Sequence, residues 1–354
     1  MSFKELLATL VSIPSHSGSE QTILKYIKQY FIAKNMMPIE HEGNLIIHIN
    51  NNSKKALIFN AHMDTVPVPD PAHWKSPPYQ LVEEQETFVG HGVSDEKVSI
   101  AILMELLPHF MTASCDVILT FVKNEEVDGS GSKSVVDYIT SHFSYKEMAC
   151  IICEPTNASW VELGNKGSIF FSLTTQGKAA HGSKPLEGEN AILNMFEFIQ
   201  KLQEEFKTYH VCCPFLGVPS IAVPTTITGG TVVNTIPDTC TATGDVRTNV
   251  QCHESILKFL KTVHPEIKIL SETKSYVLDK DNAIIKLFEH VGITTKKYTT
   301  GSNDAVFFGQ VGIPAIVFGA GNKEAIHKPN EYVTREYIEK TKKVYSVVVD
   351  TFAT

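Results

Sequence analysis

Four short apolar runs, each of which leads directly into ionisable residues, limit most strongly what this chain can fold into. The runs are ALIF (56–59), CDVILTFV (115–122), MACIIC (148–153) and PAIVFG (314–319). Short apolar runs bounded by polar residues are typical of buried strands. Helical patterns lie between them, from Glu96 to Met111 and over residues 334–351. Because strands alternate with helices, the sequence predicts an α/β fold with a mostly parallel sheet flanked by helices.

The middle of the chain has a different pattern. Three segments rich in β-branched residues, bounded by glycines and prolines, cover 167–177, 220–230 and 239–247. Between them, apolar residues recur at helical spacing from Ile192 to Phe206, which predicts an amphipathic helix on one face of a sheet. The 354 residues also exceed the roughly 250–300 at which single cores stop growing. The sequence therefore predicts a main domain of residues 1–164 and 276–354, with an inserted α+β domain of residues 165–275.

Charge and composition exclude several classes of function. The net charge is -8 and no basic run is present, so we expect no nucleic-acid partner. No apolar run reaches the ~18 residues that a membrane span needs, and we expect no membrane association. Glu5 interrupts the apolar N-terminal stretch, which predicts a first helix and not a signal peptide. Seven irregularly spaced cysteines do not indicate a disulfide framework, so the sequence favours the cytoplasm.

Ionisable residues follow the end of each apolar run. They are His62 and Asp64, Glu125 and Glu126, Glu154, and His327, with Asp95 at the start of the helical segment in GHGVSDEK. Taken singly, each is better explained as a cap or a surface residue. Ligands in open parallel sheets bind outside the carboxyl ends of the strands. The shared position of these residues therefore predicts one site at that edge.

The residue types indicate divalent metal ions. Two histidines and several carboxylates, with no cysteine among them, suit zinc. Five ligands exceed what one tetrahedral zinc accepts, and two ions that share a carboxylate at roughly 3.5–4 Å resolve the count. His62 and Asp64 point to the same side of extended backbone, where Asp64 can bond the far nitrogen of His62 or a nearby group. Glu125 and Glu126 must diverge, so one can bind metal while the other faces substrate.

The motifs that hold these residues match a known family. They are HMDTVPV, GHGVSDEK, KNEEVDGSGS, CEPT, GKAAHGSKP, GGTVVNTIPD with GDVR, and AIHKPNEYV, in that order. Together they resemble the di-zinc amidohydrolase and peptidase family that contains acetylornithine deacetylase, succinyl-diaminopimelate desuccinylase, aminoacylases, carboxypeptidases and dipeptidases. The resemblance spans nearly the whole chain. It implies that the main domain is a di-zinc exopeptidase-like catalytic domain and the insertion a lid and dimerisation domain.

The resemblance implies two zinc ions, with cobalt or manganese as substitutes. His62 and Glu154 would bind one ion, Glu126 and His327 the other, and Asp95 would bridge both. The peptide bond after Asp95 would be cis. The chain departs from the family beside this aspartate: many relatives have a GRG motif before it and MKG after it, whereas this chain has GHG and EKV.

The resemblance also implies the catalytic roles. Glu125 would be the general base for a metal-activated water that attacks an amide carbonyl. Asp64 would orient His62. His181, in GKAAHGS, would help hold the oxyanion, and in dimeric relatives it reaches the site of the other subunit. Without the resemblance, the local sequence is equally consistent with His181 being an ordinary polar residue of a loop.

Substrate contacts are implied for four further residues, namely Asn234 and Arg247 for the substrate's carboxylate and Gly301 and Ser302 near the metals. We therefore expect a deacylase of N-acyl amino acids, of the acetylornithine or succinyl-diaminopimelate kind used in amino-acid biosynthesis. A dipeptidase or carboxypeptidase that acts on short peptides is the alternative, because the reaction is the same. We expect a homodimer formed through the insertion.

Two other classes of protein compete with a metal-dependent hydrolase. One is a nucleotide-binding enzyme, because DGSGSKS (128–134) resembles a phosphate-binding loop. Ser132 precedes Lys133 where that loop requires glycine, so we reject this hypothesis. A non-catalytic metal-binding relative is the other hypothesis. The intact Glu125 argues against it, because a binding protein needs no base.

Overall fold

The structure, a computed structural model, describes residues 2–352 and divides into two compact units. The smaller unit contains Gly164–Val277 and Tyr298–Ser302, and the larger unit contains the rest of the described chain. The predicted insertion, 165–275, ends within one or two residues of the first of these segments. The segment Tyr298–Ser302 was expected in the main domain and lies in the smaller unit, so Gly301 and Ser302 do too. The catalytic and lid roles of the two units stay predictions.

The helices of the described chain have the following bounds. They are α1 (Phe3–Ser12), α2 (Gln21–Ile32), α3 (Val98–Glu105), α4 (Leu107–Phe110), α5 (Ser130–His142), α6 (Ala191–Phe206), α7 (His253–Val263), α8 (Ala283–His290), α9 (Ala305–Gln310) and α10 (Arg335–Phe352). Single 3-10 turns lie at Pro71–His73 and Pro185–Glu187. Over residues 2–352, no helix combines the length and the apolar character that crossing a membrane requires.

The strands are mostly short. They are β1 (Ile39–His41), β2 (Asn44–Ile49), β3 (Lys55–His62), β4 (Val82–Glu84), β5 (Thr87–Val89), β6 (Asp116–Val122), β7 (Glu147–Ile152), β8 (Val161–Asn165), β9 (Gly167–Gln176), β10 (Ala180–His181), β11 (Ser220–Gly229), β12 (Thr235–Ile236), β13 (Thr239–Thr248), β14 (Ile267–Thr273), β15 (Tyr276–Val277), β16 (Lys296–Thr299), β17 (Ala315–Val317) and β18 (Tyr332–Thr334).

The larger unit is built on one mixed sheet in the order β1–β2–β6–β3–β7–β17–β8. Its centre is parallel, because β3 pairs in parallel with β6 and β7, and β17 pairs in parallel with β7. The strands β3, β6 and β7 are almost continuously apolar and buried, as a sheet covered on both faces requires. Helices pack on these strands, α3 and α10 on β3 and α5 on β6. The predicted α/β class with a largely parallel sheet is confirmed.

The predicted helix from Glu96 to Met111 is not continuous. An irregular turn covers Val93–Lys97, α3 begins at Val98, and the helix breaks between Glu105 and Leu107. Pro108 explains the break, because proline has no N–H to donate to the carbonyl four residues earlier. That carbonyl, of Met104, accepts a hydrogen bond from the Tyr30 hydroxyl at 2.9 Å instead.

The smaller unit is an antiparallel sheet in the order β11–β13–β9–β14, with α6 packed on β9, β11 and β13 and α7 on β14. The predicted α6 stripe supplies much of the core. Met195, Ile199, Leu202 and Phe206 are buried with Phe171 of β9. Phe196, which the spacing predicted as part of this stripe, is exposed instead and lies with Leu193 on the outer side of α6. The apolar stripe therefore fixes which face of α6 covers the sheet.

Candidate metal centre

Parallel pairing brings three of the candidate segments to one edge of the sheet. β3 lies between β6 and β7, with His62 level with Val122 and Asn60 level with Ile152. Because the three strands run in the same direction, the residues that follow them emerge side by side. The site residues are His62 at the end of β3 and Asp64 after it, Glu125 and Glu126 after β6, and Glu154 after β7.

Asp95 lies between the two histidines. Its Oδ1 is 3.0 Å from Nε2 of His62, and its Oδ2 is 3.2 Å from Nε2 of His327. His62 Nε2 is also 3.6 Å from Oε1 of Glu154, and His327 Nε2 is 3.0 Å from Oε1 of Glu126. The structure thus brings all five predicted ligands together. One carboxylate faces two separate pairs of ligands, which is the arrangement expected of a bridging residue.

The orientation of His62 follows from its second ring nitrogen. Nδ1 lies 2.9 Å from the backbone carbonyl oxygen of Asp64, and a carbonyl can only accept, so Nδ1 carries the proton. Nε2 therefore presents its lone pair to the cluster whenever the ring is neutral. The Asp64 carboxylate was expected to orient the ring, but its Oδ1 is 3.6 Å from Nδ1, beyond hydrogen-bond distance. The main chain of Asp64 does this instead.

The Asp64 carboxylate binds the loop after β6. Its Oδ1 accepts from the Glu125 amide and its Oδ2 from the Glu126 amide, each at 3.1 Å. The Ser17 hydroxyl donates to Oδ2 at 2.7 Å. Asp64 is 1% exposed, so breaking these bonds leaves buried groups unpaired. The residue fixes both glutamates relative to the end of β3.

The turn that carries Asp95 is held by a buried carboxylate that the sequence interpretation missed. Glu331 accepts the amides of Gly92, Ser94 and Asp95 at 2.9, 2.7 and 3.0 Å. The Asp95–Glu96 peptide bond is cis, as the resemblance implied. Glu96 is buried, and its Oε1 accepts the backbone amide of His62. Nothing in the local sequence distinguishes Glu331 from an exposed glutamate.

A second missed network lies behind the site. Asp304 accepts from the Ser132 hydroxyl at 2.6 Å and from the Asn60 side-chain amide at 3.3 Å. Asn60 also accepts from the Thr120 hydroxyl at 2.7 Å. Burial raises the pKa of Asp304 to about 6. The network joins β3 and β6 just before the points where they deliver their site residues.

The pKa shifts show an excess of negative charge. Burial, with the charge of Asp95, raises the pKa of Glu154 to about 8. Burial, with the charge of Glu154 and neighbouring carboxylates, raises the pKa of Glu125 well above its usual range. Contacts with Asp95 and Glu126 raise the pKa of His327 to about 10. The cluster therefore favours the uptake of positive charge, as protons or as cations.

The donor set fits divalent cations. Ligand atoms around a tetrahedral zinc with bonds of about 2.0–2.1 Å lie about 3.3 Å apart. The contacts of His62 and His327 described above, 3.0–3.6 Å, bracket that value. The ligand atoms of His62, Asp95 and Glu126 lie within 4.8 Å of one another, and so do those of His62, Glu125 and Glu154. Imidazole and carboxylate donors in this arrangement are typical ligands of divalent metal cations.

His181 and Asn234 are neighbours in the smaller unit, because β10 pairs with β12 and His181 is level with Thr235. The Gly182 amide donates to the Asn234 carbonyl at 2.7 Å. His181 is exposed, and its Nδ1 accepts the Ser183 amide at 3.1 Å. A neutral His181 therefore carries its proton on Nε2, which is available as a donor.

The other predicted substrate residues of the smaller unit have local partners. The Arg247 guanidinium contacts Asp245, with Nε 2.9 Å from Oδ1 and Nη2 2.9 Å from Oδ2. It also lies over the Phe170 ring, 5.4 Å from the centroid. The Ser302 hydroxyl donates to the Lys166 carbonyl at 3.1 Å, and the Gly301 amide to the Thr299 hydroxyl at 3.3 Å. Their contacts with substrate stay predictions.

Comparison with known proteins shows what the chain is similar to. The sequence profile of Peptidase family M20/M25/M40 matches residues 58–351. An acetylornithine deacetylase of Buchnera aphidicola subsp. Schizaphis graminum is 26% identical over 99% of this chain and 98% of the relative. A succinyl-diaminopimelate desuccinylase of a Nitratiruptor species is 24% identical over 98% of this chain and 99% of the relative. The solved structure of an M20 family metallo-carboxypeptidase from Sulfolobus solfataricus superposes with a TM-score of 0.79 at 18% identity. The superposition covers 100% of this chain and 99% of the carboxypeptidase.

These matches confirm the resemblance that the motifs indicated. The match to the solved structure shows the shared fold, and the profile covers the segment that contains all five candidate ligands. M20 proteins are metal-dependent hydrolases, peptidases or deacylases, typically with a dinuclear centre. The chain belongs to Peptidase family M20/M25/M40.

Proposed function

We propose that this protein is a zinc-dependent amidohydrolase that removes the acyl group from N-acyl amino acids. The observation that carries the proposal is the position of Asp95 between His62 and His327, with Glu125 beside the cluster. The two relatives described above, one a deacetylase and one a desuccinylase, match over almost their full length and support this substrate class. The products are a free amine and a carboxylate.

His62 and Glu154 would hold one ion, Glu126 and His327 the other, with Asp95 between them. When bound, a pair of divalent cations polarises the amide carbonyl and makes hydroxide available near neutral pH. The Nδ1–H of His62, fixed by a main-chain carbonyl, keeps its Nε2 free to bind.

Glu125 would be the general base. Its amide is held by Asp64, and its carboxylate lies within 4.8 Å of the ligand atoms of His62 and Glu154. A carboxylate at this position can take a proton from the attacking water and return it to the leaving amine.

His181 would stabilise the oxyanion of the tetrahedral intermediate. The Ser183 amide occupies Nδ1, so Nε2–H is the donor that the side chain can offer. A preorganised neutral donor of this kind is suited to a charge that develops only in the transition state. We propose that it acts on the site of the other subunit in a homodimer formed through the smaller unit.

Asn234 and Arg247 would recognise the substrate's carboxylate, and Gly301 and Ser302 would contact the substrate. Arginine offers a bidentate fork to a carboxylate. Since Asp245 already contacts two guanidinium nitrogens, a substrate carboxylate would share Arg247 with it. We therefore expect this contact to adjust binding more than turnover.

An exopeptidase that acts on short peptides is the second candidate. Hydrolysis of a peptide bond beside a carboxylate uses the same groups, and the structure with a TM-score of 0.79 is that of a metallo-carboxypeptidase. The two functions differ in the group beyond the scissile carbonyl, an acyl chain in one and an amino acid in the other.

A substrate panel decides between them. The purified protein, stripped with chelator and reloaded with zinc or cobalt, is assayed on N-acetyl-ornithine, N-succinyl-diaminopimelate and several dipeptides. Turnover of acylated amino acids at a kcat/KM well above that for dipeptides supports the deacylase, and the reverse order supports the exopeptidase. Metal-loaded protein that hydrolyses no amide of the panel contradicts both.

A further inference from the structure

Glu331 is a buried carboxylate that is not among the five candidate ligands or the predicted substrate-binding residues. Its side chain is 3% exposed, and its two oxygens accept three backbone amides from the turn that carries Asp95. Oε2 takes the amide of Gly92, while Oε1 takes the amides of Ser94 and Asp95. One side chain therefore binds three amide donors of the same turn.

Main-chain contacts show that Glu331 is itself well anchored. Its carbonyl accepts the Gly90 amide at 3.0 Å, and the Ser94 hydroxyl donates to the Tyr332 carbonyl at 2.7 Å. From Tyr332 onward the chain pairs with β5 as β18. Because this ladder does not involve the Glu331 carboxylate, we expect β5 and β18 to stay paired when that carboxylate is removed, whereas the turn that carries Asp95 loses three amide contacts.

The same short segment also carries a ligand. His327 lies four residues before Glu331 and contacts Asp95 Oδ2 at 3.2 Å. Glu331 therefore fixes the distance between His327 and Asp95, since it binds the turn of one and belongs to the loop of the other. His62 and Glu154, by contrast, are placed by β3 and β7.

We propose that Glu331 is a positioning residue that sets the binding of the ion held by Glu126 and His327 more than that of the ion held by His62 and Glu154. The inference rests on the metal centre of the proposed function. Glu126 and His327 come from loops, and their ion depends on the position of Asp95. His62 and Glu154 lie at or just after the ends of strands, so they keep their positions if the turn that carries Asp95 moves. Loss of a group that orients metal ligands typically weakens binding by about 10–100-fold.

Cobalt titration of the chelator-stripped full-length protein tests this. The wild type should take up two ions. Uptake is measured by calorimetry and by the visible absorption of bound cobalt. Glu331→Ala should weaken one of the two binding events by about 10–100-fold and the other by much less. Glu331→Gln keeps one oxygen for Ser94 and Asp95, so it should give an intermediate value and also serves if the alanine variant does not fold.

Asp116→Ala is the matched control. Asp116 is also buried and accepts two backbone amides, of Asn51 and Ser53, at 2.9 Å each, but it begins β6 at the end opposite to Glu125. A merely structural role for Glu331 predicts that both variants lose stability and that neither changes cobalt affinity.

Wild-type affinity for both ions in folded Glu331→Ala or Glu331→Gln overturns the inference and leaves the proposed hydrolysis untouched. A wild type that binds two cobalt ions but hydrolyses no amide contradicts the proposed function, and the titration still decides the role of Glu331. Uptake of no cobalt by the wild type overturns both.

Discussion

Asp64 holds the backbone of Glu125, because its Oδ1 accepts the Glu125 amide at 3.1 Å while its other oxygen accepts the next amide along. The side chain expected to act on a histidine therefore acts on the loop of the proposed base. Asp64→Ala leaves two amides without their acceptor, and each buried unpaired group costs about 1–3 kcal/mol. We expect apo-protein stability and kcat both to fall, measured by guanidinium unfolding and steady-state assay.

Ser17→Ala is the control for this variant. It removes the hydroxyl donor to Asp64 and leaves both amide bonds intact. We expect a loss of about 0.5–1.5 kcal/mol and little change in kcat. Wild-type turnover in Asp64→Ala would show that the loop keeps Glu125 in place without its help.

Glu125→Gln should separate metal binding from chemistry. The amide side chain keeps the shape of the base but cannot take a proton, so kcat should fall by about 10²–10⁴-fold. Metal content, measured by atomic absorption after reloading, should equal that of the wild type. Glu86→Gln, the same change at an exposed glutamate of the larger unit, should have no effect. Metal loss in Glu125→Gln would make Glu125 a ligand.

Mixing two inactive variants tests whether His181 acts across a dimer. Glu125→Gln and His181→Ala homodimers should each be impaired, the second by about 10²–10³-fold in kcat. If Glu125 and His181 of different subunits form one site, subunit exchange gives heterodimers with one complete site. About a quarter of wild-type activity should then return in a 1:1 mixture. Activity that stays at the level of the separate variants would place His181 in its own subunit's site or outside catalysis.

We expect the dimer of the smaller unit to form through the exposed side of α6. Leu193 and Phe196 are 60% and 51% exposed, although they share a helix with a buried apolar stripe. Phe196→Glu places a charge there and should shift the protein from dimer to monomer in sedimentation velocity. Lys201→Glu changes charge on the same helix and serves as the control. A dimer that withstands Phe196→Glu, or a wild type that is monomeric, would contradict this surface.

Asp116 should contribute stability that depends on pH. The pKa of Asp116 is lowered from 3.8: burial opposes the shift, but the amides of Ser53 and Asn51 and the Tyr145 hydroxyl outweigh it. A lowered carboxyl pKa gives stability that is complete above the unfolded pKa of about 3.9 and is lost as pH falls through the folded value. Asp116→Asn lacks this titration. The difference in unfolding free energy between the chelator-stripped proteins should be largest above about pH 5 and shrink below about pH 4. A constant difference would contradict the assignment.

The sequence predicted the sheet well because its central strands are continuous apolar runs. The run at 56–59 became β3, the run at 115–122 became β6 and the run at 148–153 became β7, each within a few residues. Parallel strands that end in polar residues then determine which side chains meet, so the five proposed ligands could be named from the sequence. Their roles as ligands stay a prediction that metal titration decides.

What the sequence could not predict are contacts between distant segments that share no pattern. Glu331 binds a turn far earlier in the chain, and Asp304 joins Asn60 and Ser132, yet all of these look like ordinary polar residues in the sequence. The unbroken helix predicted from Glu96 is wrong for a related reason. Apolar density in a fully buried segment does not show where α3 begins or where Pro108 interrupts it.

His327 completes the proposed ligand set from a loop close to the end of the described chain, although β3, β6 and β7 all lie in its first half. During synthesis on a ribosome, these three strands therefore emerge long before the ions can be fully enclosed. A polypeptide cut short between β17 and His327 would contain every strand of the parallel centre, His62 and all three proposed carboxylate ligands, but would lack the histidine proposed for one of the two ions. We therefore expect complete metal binding only after the segment that carries His327 has been synthesised.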